Sequence, residues 1–143
     1  VGDRERARLI LKQMSARAQA DASWLTTIAR QHLRNNDLTD AGYVLEKAAQ
    51  IDAANTEAQI LLAEVELAKG DLDAAQTRSM QLSEALPQSD AGPRIFGHVL
   101  MRRGDFGGAA EQFQRALQLN DGLGVNAVNL HVALVSAGRR DEA

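Results

Sequence analysis

The chain has 143 residues, with 16 Lys and Arg against 19 Asp and Glu, a formal net charge of -3 and a pI near 5.6. No global basic field recruits nucleic acid or an anionic membrane, so any basic site has to be local. There is no Cys, which excludes disulfides, thiol catalysis and thiolate metal sites, and no apolar run approaches the roughly 18 residues that cross a bilayer.

Hydrophobic residues make up 45% of the chain but aromatics only 3%, and much of the apolar content is Ala, which favours closely packed helices. Residues 4–18 read as a helix with Ala7, Leu11, Met14 and Ala18 on one face and Leu9 and Ile10 alongside. Asp21 is placed to cap the next helix, whose Leu25, Ile28, Ala29 and Leu33 keep the helical period until Asn35-Asn36 breaks it. A partner helix over residues 38–51 buries Leu38, Ala41, Leu45 and Ala48. Asn55 or Thr56 caps a further helix carrying Ala58, Leu62, Ala63 and Leu67 to Gly70, and Leu72, Ala75 and Leu82 lead from there to Pro87, which helps stop it. Asp90 is expected to cap a helix with Pro93 in its first turn, followed by Phe96, Gly97 and Leu100. Phe106, Ala109, Phe113, Ala116 and Leu117 form its partner. Residues 125–137, with Leu130 and Leu134 inward, make the last complete helix.

No segment alternates with period two, so the expected class is all-α. Connections of two to five residues force successive helices to lie antiparallel and adjacent, as hairpins. A comb of turns runs through them. Gly2-Asp3 leads to Ala7, Asn36-Asp37 to Ala41, Gly70-Asp71 to Ala75, Gly104-Asp105 to Ala109 and Gly138-Arg139 to Ala143, at a constant spacing of 34 residues. Such a period marks stacked supersecondary units, none able to bury its apolar face alone. The expected organisation is a single array: a half-repeat over 1–21, repeats over 22–55, 56–89 and 90–123, and a partial repeat over 124–143, with about eight helices and a truncated ninth. The comb is already running at Gly2 and still running at Ala143, and the first residue is Val, so the expectation is a piece of a longer protein with any targeting signal outside it.

The period and positional pattern resemble the tetratricopeptide repeat. Ile28-Ala29, Leu62-Ala63 and Phe96-Gly97 supply the large-then-small pair of each first helix, and Gly104, Ala109, Phe113 and Ala116 satisfy the turn and second-helix positions. Ser79, where siblings carry Leu45 and Phe113, and His131, where siblings carry Ala or Gly, depart from the pattern. The resemblance implies a right-handed α-solenoid whose first helices line a concave face that binds extended peptides or partner helices. Residues 61–117 also look like the repeats of bacterial envelope proteins serving exopolysaccharide export, which leans the localisation towards the periplasm or envelope.

By matching positions that groove carries Ser23, Thr26, Arg30, Leu33 and Arg34, then Glu57, Ile60, Glu64 and Leu67. It continues with Arg94, His98, Met101 and Arg102, then Val125, Val128, Val132 and Val135. Arg94, His98 and Arg102, four residues apart, share one helical face and could hold carboxylates through forked hydrogen bonds. The expected partner-binding residues are Arg30, Arg34, Glu64, Arg94, His98, Met101 and Arg102, a mixed-charge groove suited to a protein or peptide. The Lys and Asn of the family's carboxylate-clamp subtype are absent, as Thr26, Leu61, Ala91 and Ile95 occupy those positions and only Arg30 is basic. Trp24 is expected to fill the joint with the preceding helix near Leu11 or Met14.

No chemistry of its own is expected. His32, His98 and His131 fall one to a helix without partners at ligand spacing, so neither a metal nor a cofactor is implied. The stretch Gly122-Leu123-Gly124-Val125-Asn126-Ala127 fits a dinucleotide fingerprint by composition, but no strand precedes it. Asp71 with Asp73, and Asp141 with Glu142, are turn and helix-start charges rather than a catalytic pair. The sequence thus points to a non-enzymatic binding scaffold. Self-association through open repeat ends is the second reading.

Overall fold

The computed structural model describes residues 2–17, 21–120 and 124–139. They form eight α-helices and no strand: α1 (Gly2–Arg17), α2 (Ala22–Arg34), α3 (Leu38–Ile51), α4 (Thr56–Lys69), α5 (Leu72–Ala85), α6 (Ala91–Arg103), α7 (Phe106–Leu119) and α8 (Val125–Ser136). The fold is all-α, a helical-repeat solenoid. Ala18, the ninth helix, the Gly122-Leu123 stretch and the Asp141–Glu142 pair lie outside the described residues. By packing the chain divides into Val1–Lys69 and Gly70–Ala143, a boundary inside the expected repeat 56–89.

In the first unit the turn from α2 to α3 reverses the chain at Asn36, whose φ of 58° is the left-handed geometry that siblings reach with Gly. The next residue starts the following helix: Asp37 accepts from the amide of Asp40. The core then closes through small residues. Ala29, Ala41, Ala48 and Ala58 are fully buried and let the helices approach, with Leu25, Ile28, Leu45, Leu62 and Val65 filling the space between them. The expected cap by Asn55 is present, its Oδ1 accepting from the Ala58 amide at 3.0 Å.

α1 is held differently. Among its described apolar residues only Leu11 is buried, whereas Leu9 and Ile10, expected beside the packed face, are 59% and 54% exposed. A charged contact does the anchoring: Arg8 Nε lies 2.7 Å from Asp40 Oδ2 and 3.2 Å from Asp37 Oδ2, with Lys12 Nζ 3.6 Å from Asp40. Arg8's hydrogen bond holds the Asp40 carboxyl below its usual range, against the opposing effect of burial.

In the second unit Gly70 and Gly104 take φ of 84° and 80°, and Asp71 and Asp105 cap α5 and α7 on the amides of Ala74 and Gly108. α6 crosses α7 at Gly97, where a Cβ would lie 2.6 Å from the Phe113 ring. Ser79, the departure from pattern, is fully buried and satisfied by donating to the Gln76 carbonyl at 2.7 Å. The next contact is made at Gly92 of α6, where a Cβ would lie 2.8 Å from both the Ser79 carbonyl oxygen and the Ser83 amide nitrogen of α5. The missing side chain of Gly92 lets the α5 and α6 backbones come together there.

The expected cap by Asp90 is corrected. Its backbone is already helical, at φ -74° and ψ -13°, and its side chain makes no bond to the first amides of α6. Ser89 Oγ accepts from the Ala91 amide instead. Asp90 is drawn away by Asn126 Nδ2 at 3.0 Å, Asn120 Nδ2 at 3.5 Å and Arg94 Nε at 3.6 Å, all from positions that a local capping rule does not see.

Candidate binding faces on the first helices

Within each unit the first helices of successive repeats stand side by side, α2 beside α4 and α6 beside α8. On the first pair Arg30 of α2 forms an ion pair with Glu57 of α4. Glu64 is half-buried on α4, and Arg34 is exposed at the end of α2. Thr26, expected in the groove, is instead buried: its hydroxyl donates to the Ala22 carbonyl at 2.8 Å and accepts from Asn55 Nδ2 at 3.2 Å, tying α2 to the residue that caps α4.

On the second pair Arg94 lines an open polar cleft of about 360 Å³ with Asp90, Asn120, Val125 and Asn126. His98 turns towards α7 and α8. Its ring meets Phe113 edge to face with centroids 5.0 Å apart, and Asn129 Nδ2 donates to its Nε2 at 3.3 Å. Met101 packs against the core of α7 and α8, whereas Arg102 is exposed. Of the three-residue stripe, His98 therefore reaches across to the neighbouring helices, Arg94 is half-buried and paired with Asp90 at the start of its own helix, and Arg102 faces solvent. The rest of the basic end is occupied by structure, since Arg103 bonds Asp73 and Gln76 of α5.

Trp24 lies where the sequence places it, beside Leu11 and Met14, but does not fill the joint. It remains 43% exposed and lines a largely apolar cleft of about 350 Å³ between α1 and α2, with Ile28, Gln31, Arg30 and Arg34. Val125, Val128, Val132 and Val135 are exposed along α8.

His32, expected to have no partner at ligand spacing, departs from that expectation. It is buried on α2, with Nδ1 3.4 Å from Asp37 Oδ2, and forms with Asp37 and Asp40 the one cluster among the described residues with metal-ligand spacing. Arg8 and Lys12 already bring positive charge to those carboxylates, which makes the cluster a structural tie between α1 and the α2–α3 turn.

Residues 32–92 match the family described as tetratricopeptide repeat. No curated protein sequence matches the chain. Among solved structures the chain is similar to a crystal structure of MamA protein, at 18% identity and TM-score 0.80 over 99% of this chain and 77% of that one. It is also similar to a chain of the APC/C hetero-tetramer Cut9–Hcn1, at 18% identity and TM-score 0.81, over 96% of this chain and 26% of that one. Against an O-GlcNAc transferase of Thermobaculum terrenum it has 23% identity and TM-score 0.73, over 79% of this chain and 22% of that one. At these identities the likenesses speak for the fold, and with the match over 32–92 they support a tetratricopeptide repeat protein.

Proposed function

We propose that the chain is a non-enzymatic protein-interaction scaffold that binds a peptide or partner helix along its first helices. The observation that carries this reading is the open cleft lined by Asp90, Arg94, Asn120 and Val125 over the buried Asn126, where the half-buried charged pair Asp90 and Arg94 stands beside α8 at the surface. The contacting residues in this reading are Arg30, Arg34, Glu64, Arg94, His98, Met101 and Arg102. Arg30, Arg34, Arg94 and Arg102 would take the partner's carboxylates, Glu64 its basic groups, and Met101 its apolar side chains. His98, held by Phe113 and Asn129, positions the face more than it offers a free donor.

The test is selection from a displayed peptide library, followed by binding assays on Arg94→Ala/Arg102→Ala. Carboxylate-bearing peptides whose affinity falls in the variant are the expected result; selected peptides that bind the variant as tightly as the parent chain would sink the reading. The finer placement in a bacterial envelope or exopolysaccharide-export assembly rests on the resemblance of residues 61–117. Its test is genetic context: polysaccharide genes beside the parent gene and an export signal on its product would support it, and a cytosolic start would oppose it.

A further inference from the structure

In the first unit the two first helices divide the charge between them. α2 carries Arg30 and Arg34 and no acidic residue, whereas α4 carries Glu57, Glu64 and Glu66 with one base, Lys69, at its last position. Where the helices stand side by side the two signs meet. Arg30 reaches across to Glu57, and both side chains are about half exposed.

The repeat does not require this contact. Moved on by one 34-residue period the pair becomes Glu64 with Ala91, and by two periods His98 with Val125, neither of which joins opposite charges. Nor does the helix packing depend on it, because Leu25, Ile28, Leu45, Leu62 and Val65 already join α2, α3 and α4 in one core. A half-exposed pair of this kind adds little to stability, so its two charges can be turned towards a partner at small cost.

They can be taken only together. A carboxylate that binds Arg30 alone displaces Glu57 and is left beside it, so one contact replaces another and a like-charge repulsion is added. A base that binds Glu57 alone strands Arg30 in the same way. A partner that brings both gives up its own acid–base pair and opens the internal one, and two pairs form across the interface with every charge matched. The partner's acid and base then have to stand as near to each other as Arg30 and Glu57 do, which on a helix is the spacing of residues three or four apart.

We propose that the α2–α4 face takes a partner helix carrying an acidic and a basic side chain three or four residues apart, the acid seating on Arg30 and the base on Glu57. This partner rests on the reading of the chain as a peptide- or helix-binding scaffold and gives its first unit a definite ligand. Glu57 thereby becomes a specificity determinant: it turns away uniformly acidic segments that the arginines of the first helices alone would attract.

The test is selection of single helices from a displayed library randomised at exposed positions, run in parallel on the parent chain and on Arg30→Glu/Glu57→Arg, which keeps an ion pair but exchanges its ends. Circular dichroism should show the two chains equally helical. Helices selected by the parent should be enriched in an acid and a base at three- or four-residue spacing. Each should bind the exchanged chain about tenfold more weakly or worse, and recover when its own acid and base are exchanged. Glu57→Gln provides a second reading that does not depend on the exchanged chain: it should weaken a selected helix about three- to tenfold and strengthen the same helix with its base replaced by Gln. Selected helices that carry acids without bases, that bind both chains equally, or that ignore Glu57→Gln would overturn this partner and leave the scaffold reading standing. A parent chain that retains no helix would overturn it too, and only a failure of the peptide library as well would remove the scaffold reading.

Discussion

Gly97 of α6 sits directly against the ring of Phe113 on α7, so close that a methyl group on Gly97 would lie 2.6 Å from the ring carbon Cε1. The two residues share one volume. Gly97→Ala is expected to destabilise the chain by about 1–3 kcal/mol, the usual effect of overpacking a closed crossing. Gly107→Ala, on α7 with no atom nearer than 4.0 Å to the added carbon, should instead stabilise by roughly 0.5–1 kcal/mol through helix propensity. Thermal melts followed by circular dichroism would separate them. If the pairing is the cause, Gly97→Ala/Phe113→Leu should be more stable than the sum of the two single changes.

Asn36 does with an amide what Gly70 and Gly104 do with no side chain. Asn36→Gly should leave stability unchanged or slightly raised, whereas Asn36→Ala should cost about 1–2 kcal/mol, because Ala pays the full penalty of a left-handed residue. Urea midpoints for the pair would show it, and equal midpoints would contradict the turn geometry.

The contact between Arg8 and Asp40 gives α1 a dependence on acid. Asp40 has a folded-state pKa below its unfolded value, so its contribution is present above the unfolded pKa of about 3.9 and is lost as pH falls through the folded one. Stability should therefore fall with acidification below about pH 4, and Asp40→Asn should flatten that limb while lowering stability near neutrality. Because Arg8 is itself largely solvated, added salt should weaken the contact. Denaturation curves at several pH values, with and without salt, provide the check.

Asp90 serves α8 rather than its own helix. Asp90→Ala should speed hydrogen exchange at the first turns of α8, where Asn126 loses the charged one of its three acceptors, and leave the opening amides of α6 little changed, since the Asp90 side chain makes no bond to them. The reverse pattern would restore the capping role.

The comb of Gly-Asp and Ala made the helix order, the hairpin turns and the buried alanines legible, and the helix limits followed within a residue or two at most ends. Those features depend on neighbours within a turn or on spacing that repeats. What stayed hidden depends on partners about one repeat away. Thr26 was placed in a groove because its position says so, but Asn55, 29 residues on, draws it into the joint. Asp90 is taken by Asn126, 36 residues away, and Arg8 finds Asp40 at a separation of 32. Leu9 and Ile10 show the other limit, because periodicity identifies an apolar face without saying whether another helix covers it. At the candidate site the residue types were legible, whereas the separation of His98 from Arg102 required Phe113 and Asn129 on the neighbouring helices.

The turns carry no slack. Gly104 reverses the chain and Asp105, the very next residue, already caps α7, as Asn36 and Asp37 do before α3. An inserted residue inside α7 before Ala109 would rotate the remaining helix by about 100° against its partner, carrying Ala109 and Phe113 away from Gly97. The stretches between repeats, at 52–55 and 86–90, hold no such coupled pair. Changes of chain length in this lineage should accordingly collect between repeats and be purged from within them, a pattern that a length-variant library scored for folded expression would reveal.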